Sequence, residues 1–207
     1  MKIRRILVLA LCLILLSGCG HKITQAADGT TWDENWTVLG TTLGVEKPKN
    51  GFVLSDNSAI LAADDTYYAT WTNGEPSPYV NAEGKDTDLY PAQIYSLLVG
   101  CKDAENAQIA IDEWMQREES TYIVSETTTE TYNGQEYTVL HYDCGSDTNP
   151  YSRGVSAFAV FENYAVSVEL TCTEGFDGDE NALLAEFLSG CHYASRQKSN
   201  GNKSIVK

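Results

Sequence analysis

The chain has 207 residues, with 14 Lys and Arg against 29 Asp and Glu, and its formal net charge is −15 at pH 7. A surface this acidic repels nucleic-acid phosphates, so the composition argues against a nucleic-acid partner. The length suits one domain with a substantial core.

The first residues have the composition of an export signal. Lys2, Arg4 and Arg5 precede an uninterrupted apolar run over residues 6–16. As a helix, this run would rise about 16 Å at ~1.5 Å per residue, whereas the hydrocarbon core of a bilayer is ~30 Å thick. The run is therefore too short to span a membrane stably, and it fits the apolar region of a secretory signal peptide.

The next residues, Leu16-Ser17-Gly18-Cys19, resemble the bacterial lipobox, in which an apolar residue and two small residues precede a cysteine. The resemblance implies that the Cys19 thiol receives a diacylglyceryl group and that the signal peptide, residues 1–18, is cut off before it. Two acyl chains attach a protein firmly, because each buried CH₂ contributes ~0.8 kcal/mol. We therefore expect a lipoprotein anchored at the extracytoplasmic face of the cell membrane; an ordinary cleaved signal peptide is the alternative.

Removal of residues 1–18 makes the remaining chain more acidic, with 11 basic and 29 acidic residues and a formal charge of −18. Anionic lipid headgroups repel such a chain, so its attachment to the membrane depends on the covalent lipid anchor. We expect a flexible tether over residues 19–35, a single domain over residues 36–195 and a disordered tail over residues 196–207.

The first half of the predicted domain consists of short strands and turns. β-Branched and aromatic residues predict four strands, over residues 36–45, 51–57, 58–64 and 66–73. Residues 73–89 are the longest polar, turn-rich stretch. The apolar run over residues 94–100 fits a helix or a strand, and its periodicity does not decide between them.

A helix is predicted over residues 103–118, with its N-cap at Asp103. Its apolar stripe has helical spacing and consists of Ala107, Ala110, Ile111, Trp114 and Met115. Four strands follow, over residues 121–132, 136–144, 153–162 and 164–172. Asn133-Gly134 between the first two is the strongest short hairpin signal. A second helix is predicted within residues 178–192, capped by Asp179.

This order predicts an α+β fold in which one or two helices pack on an antiparallel β-sheet meander. Over residues 50–193, and in its closing unit AVSVELTC…ALLAEFLSGCHY, the order resembles the PsbP-like sandwich of small exported or lipid-anchored bacterial proteins. The stretches YYATWTNGE, DLYPAQIY and NPYSRGVSAFAVF are similar to those of an uncharacterised group of lipoproteins from Gram-positive gut bacteria. That similarity implies an envelope location and no particular chemistry.

Four cysteines lie outside the signal peptide and the lipidation site. An even number in an exported chain allows two disulfides, and the spacing contains no CxxC or other zinc pattern. We favour Cys101–Cys191, because these residues adjoin the two helices. We also favour Cys144–Cys172, at one end of the meander, although one intervening strand would separate them by about 9–10 Å. Buried free thiols are the alternative.

The polar turn around Gly84 is a candidate metal site. It contains Asn81, Glu83, Asp86 and Asp88, and oxygen-rich side chains on a turn are what Ca²⁺ requires. The spacing does not match the EF-hand loop, so a solvated loop is the other interpretation. No P-loop, Rossmann glycine pattern or HExxH motif occurs, and no other cofactor is expected.

His141 and Asp143 share one face of a predicted strand, where they could act as a base and its orienting carboxylate. No GxSxG motif or cysteine nucleophile context accompanies them. An extracytoplasmic enzyme centred on His141 is therefore one alternative, and a polar strand face is the simpler interpretation.

Aromatic residues are concentrated in residues 67–95, where Trp71, Tyr79 and Tyr90 are the candidate ligand-binding residues. Aromatic faces beside polar groups stack on sugars or anchor protein partners, but alternating aromatics in strands also fill cores. The leading interpretation is a non-catalytic, lipid-anchored domain that binds a protein or envelope partner. A carbohydrate or small-ligand module that uses residues 67–95 is the second.

Overall fold

The computed structural model of the chain describes residues 24–25, 31–32, 36–39, 43–55, 59–61, 65–145 and 149–193. The predicted signal peptide, Cys19 and the predicted tail over residues 196–207 lie outside the described residues. Within the segment predicted as a tether, the described residues form two short strands that pair with each other.

The strands in chain order are β1 (Thr24–Gln25), β2 (Thr31–Trp32), β3 (Trp36–Leu39), β4 (Leu43–Glu46), β5 (Phe52–Leu54), β6 (Ala59–Leu61), β7 (Thr66–Asn73), β8 (Ser77–Val80), β9 (Asp86–Leu89), β10 (Ala92–Gly100), β11 (Ile123–Tyr132), β12 (Gln135–Asp143), β13 (Arg153–Phe161), β14 (Tyr164–Cys172) and β15 (Cys191–Tyr193). The helices are α1 (Ala104–Thr121) and α2 (Glu180–Ser189).

Eight of these strands form one antiparallel sheet. Their order across the sheet is β11-β12-β13-β14-β10-β7-β5, and β6 also pairs with β7. A second sheet has the order β15-β4-β3, and β8 pairs with β9 as a separate hairpin. The predicted α+β class, an antiparallel meander with helices packed on it, is confirmed.

The turn between β11 and β12 shows why this meander was visible in the sequence. Asn133 and Gly134 have φ of 48° and 79°, the left-handed backbone that a type I′ hairpin turn requires. The run at residues 94–100, left undecided above, belongs to strand β10. It pairs with β14 on one side and β7 on the other, and its side chains alternate between buried and half-buried because successive residues point to opposite faces of the sheet.

Helix α1 packs on one face of the sheet, which we call the α1 face. Its N-cap is Asp103, as predicted, and the Asp103 carboxylate accepts from the Asn106 amide at 2.9 Å. The buried residues Ala107 and Ile111 of α1 share a core cluster with three sheet residues, namely Leu140, Phe158 and Ala165. The helix runs three residues beyond its predicted end and finishes over the sheet.

Helix α2 packs on the opposite face, which we call the α2 face. Its residues Leu184, Phe187 and Leu188 belong to a larger core cluster that includes Val139, Ala157, Val166 and Trp71. Successive residues of a strand point to opposite faces, so Val139 and Leu140 contact different helices. The Asp179 carboxylate caps α2 as predicted and accepts from the Asn181 and Ala182 amides.

Close packing on the α1 face depends on Gly154 in β13. Gly154 pairs with Tyr142 of β12, and a Cβ atom at position 154 would lie 2.5 Å from the Tyr142 ring. The ring therefore crosses the backbone of β13 and brings the Tyr142 hydroxyl to Glu169 on β14. Only glycine leaves room for this crossing.

We expect Gly154→Ala to lower the free energy of unfolding by about 1–3 kcal/mol, because the added methyl overpacks the site under Tyr142. Urea denaturation monitored by circular dichroism measures the change. Gly175→Ala is the matched control, since a Cβ atom there meets nothing within 4 Å. Equal stability of the two variants would contradict this account.

Candidate functional site

Two glutamates that the sequence analysis did not single out come together on the α1 face. Glu118 projects from the last turn of α1, and Glu169 lies on β14 opposite Ser156 of β13. Ser156 donates to one Glu118 oxygen at 3.1 Å, and the Tyr142 hydroxyl donates to Glu169 at 2.7 Å. The Ser156 and Tyr142 hydroxyl oxygens lie 3.5 Å apart, so one polar chain joins the two carboxyl groups.

Burial controls the charge of this carboxyl pair, Glu118 and Glu169. Burial, reinforced by the nearby Glu169, raises the pKa of Glu118 from 4.5 to about 8, and the hydrogen bond from Ser156 only partly opposes this rise. Burial also raises the pKa of Glu169, against the effect of the Tyr142 hydrogen bond. The second oxygen of Glu118 is buried and has no hydrogen-bond partner. The Glu118 carboxyl group is therefore mostly protonated at neutral pH.

An aromatic stack covers the carboxyl pair. The Tyr122 ring lies on the Tyr142 ring with centroids 4.4 Å apart and an interplanar angle of 6°. Tyr122 directly follows α1, and its amide donates to the Glu118 carbonyl at 2.8 Å, the bond that ends the helix. This backbone hydrogen bond joins Tyr122 to Glu118, the residue whose side chain belongs to the carboxyl pair.

Tyr122 lines a cavity of about 540 Å³, which we call the hairpin cleft. The β8–β9 hairpin forms one wall, and Cys144, Asn149 and Pro150, which lie between β12 and β13 in the chain, form the other. The lining residues are Tyr79, Asn81, Ala82, Glu83, Thr121, Tyr122, Cys144, Asn149 and Pro150. Two tyrosines and two asparagines thus converge on a space large enough for a small organic ligand.

The predicted ligand-binding aromatics do not share one site. Tyr79 lines the hairpin cleft, and Tyr90 lines a different cavity of about 510 Å³ together with Asp88. Trp71 is 1% exposed and packs edge-on against Phe187 at 5.0 Å. The expectation of a ligand-binding Trp71 is corrected, because its place in β7 directs the side chain to the α2 face and its core.

The predicted calcium ligands are arranged as a hairpin. The Asn81 side-chain oxygen accepts from the amides of Glu83 and Lys85 at 3.1 and 2.9 Å, so the turn uses it internally. Asp86 and Asp88 lie exposed along β9. In the described part of the chain, no three His, Cys, Asp or Glu side chains are grouped so that they could hold a metal.

His141 lies half-buried on β12, and Asp143, on the same face of that strand, is exposed. The His141 carbonyl accepts from the Ser125 hydroxyl at 3.1 Å. Neither residue lines the hairpin cleft. The geometry therefore does not place this pair beside the cavity in which a substrate would fit.

The four cysteines of the domain are free thiols in the structure, so neither favoured pair, Cys101–Cys191 or Cys144–Cys172, is bonded in it. Cys101 packs with the α1-face cluster and Cys191 with the α2-face cluster, so the sheet separates them. Burial raises the pKa of Cys144 and Cys172 to about 11 and that of Cys191 to about 12. These three are therefore unreactive thiols at neutral pH.

The comparisons with known proteins concern the fold only. No family model matches the sequence, and no curated protein matches it. In structure, the chain is similar to the cyanobacterial PsbP (CyanoP) from Synechocystis sp. PCC 6803, with a TM-score of 0.40 and 11% identity over 70% of this chain and 94% of that one. The PsbP-like resemblance is thus found as a weak likeness that carries no functional conclusion. Among the described residues, no helix has the length and apolar character needed to cross a membrane.

The raised pKa of Glu118 makes stability depend on pH. A carboxyl whose pKa is raised on folding contributes stability that is complete below about pH 4.5 and is lost as pH rises through about 8. We expect the free energy of unfolding to fall by about 2–4 kcal/mol between pH 5 and pH 8, and Glu118→Gln to reduce that fall. Urea denaturation at several pH values measures it.

Glu119→Gln is the matched control, because it removes the same charge from the next, exposed position of α1. Glu119→Gln should leave the pH dependence of the free energy of unfolding unchanged. A wild-type protein whose stability is constant between pH 5 and pH 8 would refute the assignment.

Proposed function

We propose that this protein is a lipid-anchored extracytoplasmic lipoprotein whose α+β domain binds an envelope partner in the hairpin cleft without catalysing a reaction. The observation that carries the binding proposal is the cleft itself, where Tyr79 and Asn81 of the hairpin face Tyr122 and Asn149 across about 540 Å³. Pockets of roughly 300–1,000 Å³ with a few directed polar groups are typical of ligand sites.

Support for the anchor comes from Leu16-Ser17-Gly18-Cys19 and the charged and apolar segments before it. The acidity of the chain agrees with this proposal, because a domain repelled by anionic headgroups needs a covalent attachment to stay at a membrane. The described domain begins after the lipobox, so the binding surface would project from the membrane on the connecting segment.

Binding is favoured over catalysis by the chemistry of the cleft lining. Its one thiol, Cys144, has a pKa raised by burial to about 11, so it is protonated and a poor nucleophile at neutral pH. Glu83 is exposed, and none of the described residues that line the cleft is a histidine. What remains is a set of aromatic and amide groups, which suits recognition.

The ligand class that this lining favours is a glycan. Tyrosine rings present apolar faces to the C–H side of a sugar, and the asparagine amides both donate to and accept from hydroxyl groups. Tyr79, Asn81, Tyr122 and Asn149 supply both kinds of group to one cavity.

A protein segment is the second candidate partner, favoured by an exposed apolar side chain beside the cleft. Ile123 is 63% exposed and directly follows the lining residue Tyr122. Exposed apolar residues next to a cavity are typical of protein contacts.

We expect the full chain to incorporate radiolabelled palmitate when it is expressed in a bacterium, and Cys19→Ala to abolish the labelling. Cys12→Ala is the matched control, because Cys12 lies within the apolar part of the predicted signal peptide. Labelling that survives Cys19→Ala, or that is absent from the wild-type protein, would overturn the anchor.

On an array of bacterial cell-wall glycans, we expect Tyr79→Ala to weaken binding about tenfold, which corresponds to the loss of one aromatic contact worth about 1.4 kcal/mol. Tyr90→Ala is the control, since Tyr90 lines the other cavity. A loss on Tyr90→Ala alone would place the ligand elsewhere, and wild-type protein that binds no glycan would favour the protein partner.

A further inference from the structure

The hairpin cleft and the carboxyl pair are joined by a continuous set of contacts. Tyr122 lines the cleft and stacks on Tyr142, and Tyr142 donates to Glu169. The Glu118 carbonyl accepts from the Tyr122 amide, and its side chain accepts from Ser156. These contacts connect the Glu118 side chain both to the end of α1 and to the lining of the cleft.

We propose that Glu118 and Glu169 form a proton-operated latch, in which a proton on Glu118 keeps its side chain buried, holds the last turn of α1 on the sheet and so keeps Tyr122 in place in the lining of the hairpin cleft. The regulatory consequence rests on the proposed function of the cleft. The latch itself does not, because it is a property of the fold.

The geometry determines that loss of the proton, rather than its uptake, releases Glu118. The pair receives one hydrogen bond at each end, from Ser156 and from Tyr142, and the second oxygen of Glu118 is buried without a donor. Two ionised carboxylates in this position would repel each other and leave a buried charge unsatisfied. Glu118 can relieve both costs by moving toward solvent, since it projects from the end of a helix and Glu169 from the middle of a sheet.

The elements around Glu118 supply no compensating positive charge in the described part of the chain. Arg153 is held by Glu180 at 3.2 Å and by the Phe176 carbonyl at 2.8 Å, away from the pair. Besides the mutual interaction of Glu118 and Glu169, the titratable groups whose charges interact with the pair are Tyr95, Tyr122, Tyr142, Cys144 and Tyr151. All of them are neutral or negative, so the proton is what neutralises the pair.

Burial raises the pKa of both carboxyl groups of the pair. The pKa of Glu118 is raised to about 8, whereas those of Cys144 and Tyr122 are raised to about 11 and about 12. A transition between pH 7 and pH 9 at this site therefore reports the carboxyl pair rather than its thiol and phenol neighbours.

The test is amide hydrogen exchange of the full chain without ligand, read by mass spectrometry between pH 6.5 and pH 9 and converted to protection factors to remove the intrinsic pH effect. We expect protection of the last turn of α1 and of Tyr122 to fall at least tenfold across this range, while the first turn of α1 keeps its protection. Glu118→Gln should abolish the fall, and Glu119→Gln should retain it.

Carbon-13 NMR of glutamate carboxyl groups in the wild-type protein keeps the proposal testable if Glu118→Gln does not fold. We expect one carboxyl resonance that titrates with a midpoint near pH 8. Protection factors that stay constant with pH, or glutamates that all titrate below pH 6, would overturn the latch. Neither measurement uses a ligand. Protection factors and carboxyl shifts that do not respond to pH would therefore refute the latch alone, and a protein that binds no glycan on the array would refute only the proposed ligand.

Discussion

The structure depends on one packing constraint, which is that strand β14 is covered on both faces. Every residue of Tyr164–Cys172 except Glu169 is buried. The strand lies between β13 and β10 in the middle of the sheet, with residues of the α1 cluster on one face and of the α2 cluster on the other. Polar side chains in such a strand cannot reach water freely, so a charged side chain left there without a partner within the protein is costly.

Glu169 is the residue at which this constraint acts most strongly. Its backbone position is set by pairing with Ser156 and Tyr95, which leaves its side chain on the α1 face. The Tyr142 hydroxyl satisfies one of its oxygens, and Tyr142 can reach it only because position 154 has no side chain. Helix α1 then adds a second carboxyl, Glu118. The polar contacts that join helix to sheet thus follow from one acidic residue in a buried strand.

Local signals predicted the elements of the fold well. Asn133-Gly134, Asp103 and Asp179 marked a turn and two helix starts, and each acts through its own backbone neighbours. Elements whose structure depends on residues distant in the chain were missed or could not be assigned. The strand state of β10 needed pairing with β7 and β14, and the polar stretch at residues 73–89 turned out to form the β8–β9 hairpin.

The candidate site was predicted only in part. Tyr79, Asn81 and Glu83 do line a cavity, but they do so with Tyr122 and Cys144 from distant segments. Glu169 was visible as a single acidic residue in an apolar strand, yet its partner Glu118 looked like one of many charges on a helix. Which charged residue of a helix turns toward the sheet depends on how the helix docks, and no local pattern carries that information.

The sequence by itself determined what is encoded in continuous segments. The predicted lipobox consists of four adjacent residues, and the strand and helix signals act over a few positions. The tertiary structure decided which residues meet. It placed Trp71 in the core, put Cys101 and Cys191 on opposite sides of the sheet, and joined Glu118 to Glu169 beneath Tyr122. The physical reason is that burial and hydrogen bonding between distant segments arise only when helices and strands pack, so their energies are absent from any short stretch of chain.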